Sequence, residues 1–394
     1  MFWKLSFQLF FIFSLCLMSQ NIDAQALSLQ WIFSADSASV FSSPKAIDLT
    51  RDNVKDIVFC AGIENKYSSY GIVALDGKTG TLLWKVPAHN QMYSTPIFQD
   101  INQDGVPDVF VSGRDAQFYA LDGSSGDIIW RFWDHSNSSP KAQGWYNFYN
   151  PKWLPDLNQD GFQEILISNG GDATAFPNEK NRPAGYLMVI DGATGEIIAI
   201  DQMPDGKETY FSPIVFPRET GTLHILFGSG GETIGGKLYL TTLNDLLQND
   251  ISNAQILLED TCKGFIAPPS LVDINNDNQL DIIVPAFNER LVALDGKTFE
   301  TIWQHKLEGY ENYTSPTIGN FTSEMTPDIF YIAAKGNWPF YFGCKMIMLD
   351  GKSGEVVWEQ DNNIQQLSSP NAFDWDKDGL DEVFFLNNCN REYL

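Results

Sequence analysis

Short apolar runs alternate with polar, glycine- and proline-marked turns along almost the whole chain. Runs such as Asp56-Ile57-Val58-Phe59 and Asp281-Ile282-Ile283-Val284 are bounded by turn residues and rich in β-branched and aromatic side chains, so they read as strands. Ala74 to Trp84 is a strand, a glycine-containing turn and a second strand. The same hairpin recurs at Ala120–Trp130, Val189–Ala199 (tryptophan lost), Ala293–Trp303 and Met348–Trp358. An aromatic or aliphatic residue followed by two small polar residues and proline opens most units: Phe41–Pro44, Tyr93–Pro96, Tyr313–Pro316 and Leu367–Pro370, with divergent copies ending at Pro151, Pro213 and Pro268. These prolines mark seven units at a spacing of about fifty residues.

Within a unit the order is constant: a short strand after the proline, an acidic loop, a second strand, a variable loop, then the hairpin. Four strands at this period predict an all-β fold, a seven-bladed β-propeller with four-stranded blades. No blade buries both faces alone, so closure into a ring is expected. Leu27 to Phe33 contains Trp31, matching an outer tryptophan strand with no blade in front of it. Ser369 to Asn388 supplies two strands with no hairpin after them. The expectation is a single propeller over 27–394, its ring closed by the N- and C-terminal segments, with residues 27–35 completing blade seven. Asn390 to Leu394 resembles Asn288 to Val292, the start of a third strand elsewhere.

The acidic loops place oxygen-bearing side chains at positions 1, 3, 5 and 9, with a turn residue at 6. Alternate side chains then face inward and wrap a hard cation, while glycine permits the tight reversal. The clearest copy is Asp100, Asn102, Asp104 and Asp108 around Gly105. Others are Asp156, Asn158, Asp160 and Glu164, and Asp374, Asp376, Asp378 and Glu382. Asp273, Asn275, Asp277 and Asp281 form a fourth with Asn278 at the turn, and Asp48, Thr50, Asp52 and Asp56 a weaker fifth with Asn53. Up to five structural Ca2+ sites are expected; magnesium seldom takes an all-protein cage. Solvated turns are the competing reading, since Asp, Asn and Gly favour turns anyway. Pro217–Gly221 and Asn320–Met325 take the loop's place in units four and six without its carboxylate set.

The Asp-x-Asn-x-Asp-Gly-x-x-Asp loops followed by an Asp-Ile-Val strand resemble the FG-GAP (VCBS-type) repeats of integrin α-subunit heads and bacterial secreted proteins. The Ala-Leu-Asp-Gly-x-Thr-Gly-x-x-x-Trp hairpins resemble the repeats of PQQ-type quinoprotein propellers, including the non-catalytic outer-membrane assembly lipoprotein. Together the motifs cover nearly all of the chain after its first 26 residues, and both resemblances imply a propeller. Neither implies one function, because such propellers serve adhesion, scaffolding, sugar binding and redox chemistry. The adjacent cysteine pair of quinoprotein dehydrogenases and the lipobox cysteine of the assembly lipoprotein have no counterpart here.

Composition sharpens the picture. Fifty acidic against 25 basic residues give a net charge of −25, which argues against a nucleic-acid partner. Residues 1–26 read as a secretory signal: Lys4, an apolar core over Leu5–Met18, and the small-x-small site Ala24-Gln25-Ala26. No later stretch approaches the ~20 apolar residues of a membrane span. The expected location is secreted, periplasmic or cell-surface. Cys60, Cys262, Cys344 and Cys389 are scattered, without metal or redox spacing; disulfides are permitted, in no pairing that the spacing dictates.

Candidate ligand-binding residues fall in two groups. Tyr93, Tyr210 and Tyr313, with Phe41, Phe148 and Phe265, precede the prolines and are expected around the channel mouth. Two long insertions, Trp133–Trp153 and Asn169–Arg182, bring His135, Trp145, Tyr146 and Tyr149 to the variable-loop face beside Asp172, Glu179, Lys180 and Arg182. Such a surface suits a carbohydrate or protein ligand. His89 and His135 lie in neighbouring variable loops, and no nucleophile or zincin motif surrounds any histidine. The reading is a non-catalytic, calcium-stabilised binding or adhesion module. Its rivals are a quinoprotein-like oxidoreductase or polysaccharide-acting enzyme, and an envelope assembly scaffold.

Overall fold

A computed structural model describes residues 29–385 apart from 36–37, 137, 173, 177–178, 219–220, 323–325 and 365–367. The expected signal segment, Cys389 and Asn390–Leu394 lie outside the described residues. The compact unit that contains the repeats begins at Trp31.

The strands fall into antiparallel meanders in chain order. The first comprises Lys45–Ile47, Asp56–Cys60, Ser68–Leu75 and Leu82–Ala88, and the second Ile97–Gln99, Asp108–Ser112, Phe118–Leu121 and Ile128–Arg131. In the third, the extra pair Asn147–Phe148 joins the edge of Ile165–Gly170. The fourth ends in Gln255–Asp260. The fifth and sixth are zipped into one eight-stranded sheet, because the long strand Thr301–Glu311 reaches Ala334 and Lys335. Asn371–Phe373 and Glu382–Phe384 form a final two-stranded sheet. Six meanders of four strands thus precede a two-stranded one, among the described residues. The second strand of the second sheet, Asp108–Ser112, is buried at every position, as expected of strands covered on both faces.

One contact joins successive sheets. The outer-strand indoles of Trp84, Trp130 and Trp303 are buried, and each donates its N–H to the glycine carbonyl of the next sheet's Asp-Gly turn, Gly123, Gly192 and Gly351, at 2.8–3.0 Å. Trp31 does the same to Gly77. The rings lie flat on Gly80, Gly126, Gly195 and Gly354, which have φ of +71° to +78°. A Cβ there would meet the indole at 2.5–2.8 Å, so the second glycine of the hairpin turn serves both backbone conformation and ring packing.

Where the tryptophan is missing, other groups take over. The third sheet's outer strand has Ala199, and the hairpin turn of the fourth sheet is replaced by a one-turn helix, Leu243–Leu247, with a Thr242/Asp245 capping box. After it, the Asn249 side chain accepts the Ile200 amide, and the Ile251 amide donates to Asp201. From the fourth to the fifth sheet, Arg218 donates to the Gly296 carbonyl at 3.0 Å and stacks on Phe299 at 4.6 Å. The helix and the arginine were not expected from the hairpin repeat.

The described cysteines Cys60, Cys262 and Cys344 are free, and burial pushes the Cys60 thiol up to about 12. No helix among the described residues is long and apolar enough to cross a membrane.

Candidate functional site

A cavity of about 660 Å3 is lined by residues of all six four-stranded meanders: Phe41 and Glu64, then Tyr93 and Arg114, Tyr149 and Arg182, Tyr210 and Glu232, Ala267, and finally Tyr313 and Tyr341. A space touched by every one of these meanders lies where they converge. The innermost strands start at this mouth and run away from it, in the first, second, third and fifth units towards an acidic loop, as Ile97–Gln99 does between Pro96 and Asp100.

Four of the expected ligand residues, Tyr93, Tyr149, Tyr210 and Tyr313, share this cavity. Tyr149 lies 5.9 Å from Tyr93 and 6.1 Å from Tyr210, ring to ring. Phe148 and Phe265 are instead buried in the core; Tyr149 and Ile266, one residue on, line the space. The alternating sides of extended backbone account for the switch. His135, Trp145 and Tyr146 lie outside the cavity. His135 stacks on His89 at 4.6 Å and its Nε2 contacts the Asp115 carbonyl. Trp145 packs edge-on against Phe132, and Tyr146 is held through its backbone by Asn169. The two insertions do meet, through a 2.7 Å Lys141–Asp172 ion pair.

Charge in the wall and just behind it is organised largely in pairs that the sequence did not reveal, since the partners come from different units or from unremarkable loops. Arg114 pairs with Glu64 at 3.1 Å, and Lys263 with Glu311. Arg182 meets Glu208 at 3.4 Å with both side chains buried. The Tyr210 hydroxyl donates to the same Glu208 carboxylate, and Tyr341 donates to Glu311. Burial lifts the Glu208 carboxyl to about 7 despite the Arg182 guanidinium and the Tyr210 hydroxyl, which pull it the other way. Burial also raises Glu232 and the phenols of Tyr93, Tyr149, Tyr210 and Tyr313.

The acidic loops share one internal geometry. Asp100 accepts the amides of Asp104 and Gly105, Asn102 that of Asp104, and Asp104 that of Val106. The loops at Asp156, Asp273 and Asp374 repeat the position-1 contact through Gly161, Asn278 and Gly379. At position 9, Asp108 takes the amides of Ile101, Asn102 and Gly123, and so bolts the loop to the following hairpin. Asp56 and Asp281 make equivalent bonds to Gly77 and Gly296, while Glu164 and Glu382 accept amides within their own loops. Asn102, Asn158 and Asn275 at position 3 reach Asp122, Asp191 and Asp295 of the hairpin turns. The cation-loop motif and the hairpin motif are therefore one hydrogen-bonded unit. Asp374, Asp376 and Glu382 bring carboxylate oxygens within 4.8 Å of one another, and Asp48 Oδ1 is enclosed without a hydrogen-bond partner. Thr50, Asp52, Asp160, Asp277 and Asp378 lie in the same loops, with Asp52, Asp160, Asp277 and Asp378 each accepting the amide two residues ahead.

A family model described as the FAM234A/B β-propeller matches residues 69–373. Protein FAM234B of Gallus gallus is 23% identical over 373 residues, covering 86% of this chain and 56% of its own length. FAM234B of Homo sapiens is 22% identical over 344 residues, covering 79% and 51%. The chain thus spans about half the length of the relatives it matches. Among solved structures, Saccharomyces cerevisiae Sqt1 superposes with a TM-score of 0.50 at 10% identity, covering 84% of this chain and 81% of its own. BamB from Moraxella catarrhalis gives 0.44 at 15%, covering 87% and 82%. The match over most of the repeat region makes this chain a member of the FAM234A/B β-propeller family.

Proposed function

We propose that this chain is a non-catalytic binding module whose ligand, a carbohydrate or a protein segment, enters the tyrosine-lined cavity where the sheets converge. The observation that carries this reading is a cavity touched by six meanders, with aromatic walls and charges mostly paired with one another. The commitment of Glu208 to Arg182 and Tyr210, behind the cavity wall, supports a positioning role for that carboxylate and a binding role for the cavity. The acidic loops at the far ends of the inner strands hold structural Ca2+. The carboxylate cluster at Asp374, Asp376 and Glu382 and the enclosed, unpartnered Asp48 oxygen support that assignment. The two-stranded sheet begins a seventh blade, for which Trp31 serves as the outer tryptophan by its contact with Gly77. Export rests on the pattern of residues 1–26.

The test is a thermal-shift screen of the full chain in saturating calcium against oligosaccharides, followed by pull-down. A ligand of this cavity raises the melting temperature of the native chain and loses its effect on a Tyr149→Ala/Tyr210→Ala variant. A shift that survives in the variant places the ligand elsewhere and ends the reading.

A further inference from the structure

Among the described residues, the cavity wall contains one charge without an ion-pair partner. Five carboxylate or guanidinium side chains among the described residues line it: Glu64, Arg114, Asp172, Arg182 and Glu232. Arg114 is paired with Glu64, Arg182 with Glu208, and Asp172 with Lys141. Glu232 makes no ion pair among the described residues. Arg182, Arg114 and Lys263 act on it only at longer range, and each has a carboxylate of its own nearer by. Glu232 lines the same cavity as Tyr210, Tyr313 and Tyr341, and its charge raises all three phenols. A half-buried carboxylate among tyrosines is the composition that attracts an ammonium, through charge on one side and ring quadrupoles on the others.

The surroundings of the mouth decide what carries that ammonium. Phe41 lines it and is 62% exposed, and Ile266, Pro268, Trp338 and Pro339 add an apolar border. Exposed aromatic and apolar residues around a polar centre are the anatomy of a protein interface with a central anchor. Resting on the proposed binding role of this cavity, we infer that its ligand is a protein segment that inserts a lysine side chain, the ammonium seated against Glu232 between Tyr210, Tyr313 and Tyr341. The acidic chain as a whole, at −25, draws such a partner in.

Three small probes test this on the full chain by saturation-transfer NMR and titration: N-acetyl-lysine methylamide, the norleucine analogue that lacks the ammonium, and glucosamine. The lysine probe is expected to bind, the norleucine probe to bind at least tenfold more weakly, and Glu232→Gln to remove that difference while leaving the melting temperature within a few degrees. Asp127→Asn, an exposed hairpin carboxylate, changes net charge equally and is expected to leave lysine binding intact. Equal binding of the lysine and norleucine probes overturns the inference and leaves the cavity a binding site for uncharged ligands. Preference for glucosamine overturns it in favour of an amino sugar. Loss of binding in Asp127→Asn as much as in Glu232→Gln reduces the effect to net charge and also overturns it. Failure of all three probes, together with failure of the oligosaccharide screen, removes the binding role itself.

Discussion

Glu208 is a carboxyl for which burial outweighs a guanidinium at 3.4 Å, and this has a consequence for stability. With its native value near 7 against an ordinary 4.5, the folded state holds a proton that the unfolded chain releases in between. Stability from this group is therefore present at low pH and falls as pH rises from about 4.5 through about 7, by ~3 kcal/mol at most. Glu208→Gln cannot titrate, so its urea midpoint is expected to vary less over that window than that of the native chain; parallel curves would show that Arg182 keeps Glu208 ionised. Arg218 makes a second case at this scale. It stands in for a missing tryptophan by bonding the Gly296 carbonyl and covering Phe299. Arg218→Ala is expected to cost about 1–2 kcal/mol, and Arg218→Lys to recover only part, since an ammonium offers no planar face to the ring. Nothing about Arg218 stood out in the sequence, because a stack and carbonyl bonds across 78 and 79 residues leave no local pattern.

At the scale of elements, the hairpin repeat was legible because it obeys two local rules at once. The Asp-Gly-x-x-Gly turn needs a residue at positive φ, and a tryptophan follows its first glycine at a fixed offset of seven residues; the second glycine, lacking a Cβ, receives the indole of the preceding unit. Packing of these tryptophans between neighbouring units is what the repeat implies; what it did not convey is that Trp84, Trp130 and Trp303 each bond a glycine carbonyl of the unit that follows. The difference can be measured. Trp303 is 8% exposed with its N–H satisfied by Gly351, whereas Trp358 is 41% exposed. Trp303→Ala is expected to lower stability by ~3–5 kcal/mol, and Trp358→Ala by about 1 kcal/mol or less, in urea titrations with unchanged m. Equal losses would mean that the tryptophans act within their own sheets. The ligand residues were legible only in part. Tyrosines before the prolines could be placed because the innermost strand fixes them, while His135, Trp145 and Tyr146 sit in an insertion whose path depends on Asn169, Asp172 and Gly171 of the next loop.

For the whole molecule, the question is how much of its cohesion depends on the acidic loops. Two effects oppose each other. The loops are already tied by backbone amides, and Asp108, buried completely, bonds Gly123 of the next hairpin without help from an ion. Against that, each complete loop gathers at least three carboxylates, and the cluster at Asp374, Asp376 and Glu382 lies within 4.8 Å, where like charges repel. The amides fix the shape and the proposed ion removes the repulsion, so chelation is expected to weaken the chain rather than unfold it. A cation at a hundred times its dissociation constant contributes ~2.7 kcal/mol per site, and the loops lie in different sheets, so their contributions should add. Excess EGTA should therefore lower the melting temperature by many degrees while far-UV circular dichroism at room temperature stays β-rich. Asp100→Asn should remove one calcium equivalent by mass spectrometry under native conditions and a single share of the EGTA effect. Asp108→Asn should do more damage with or without calcium, because it also loosens the bond to Gly123. A melting temperature indifferent to EGTA would identify the loops as ordinary turns, and the amide network alone would then account for their recurrence.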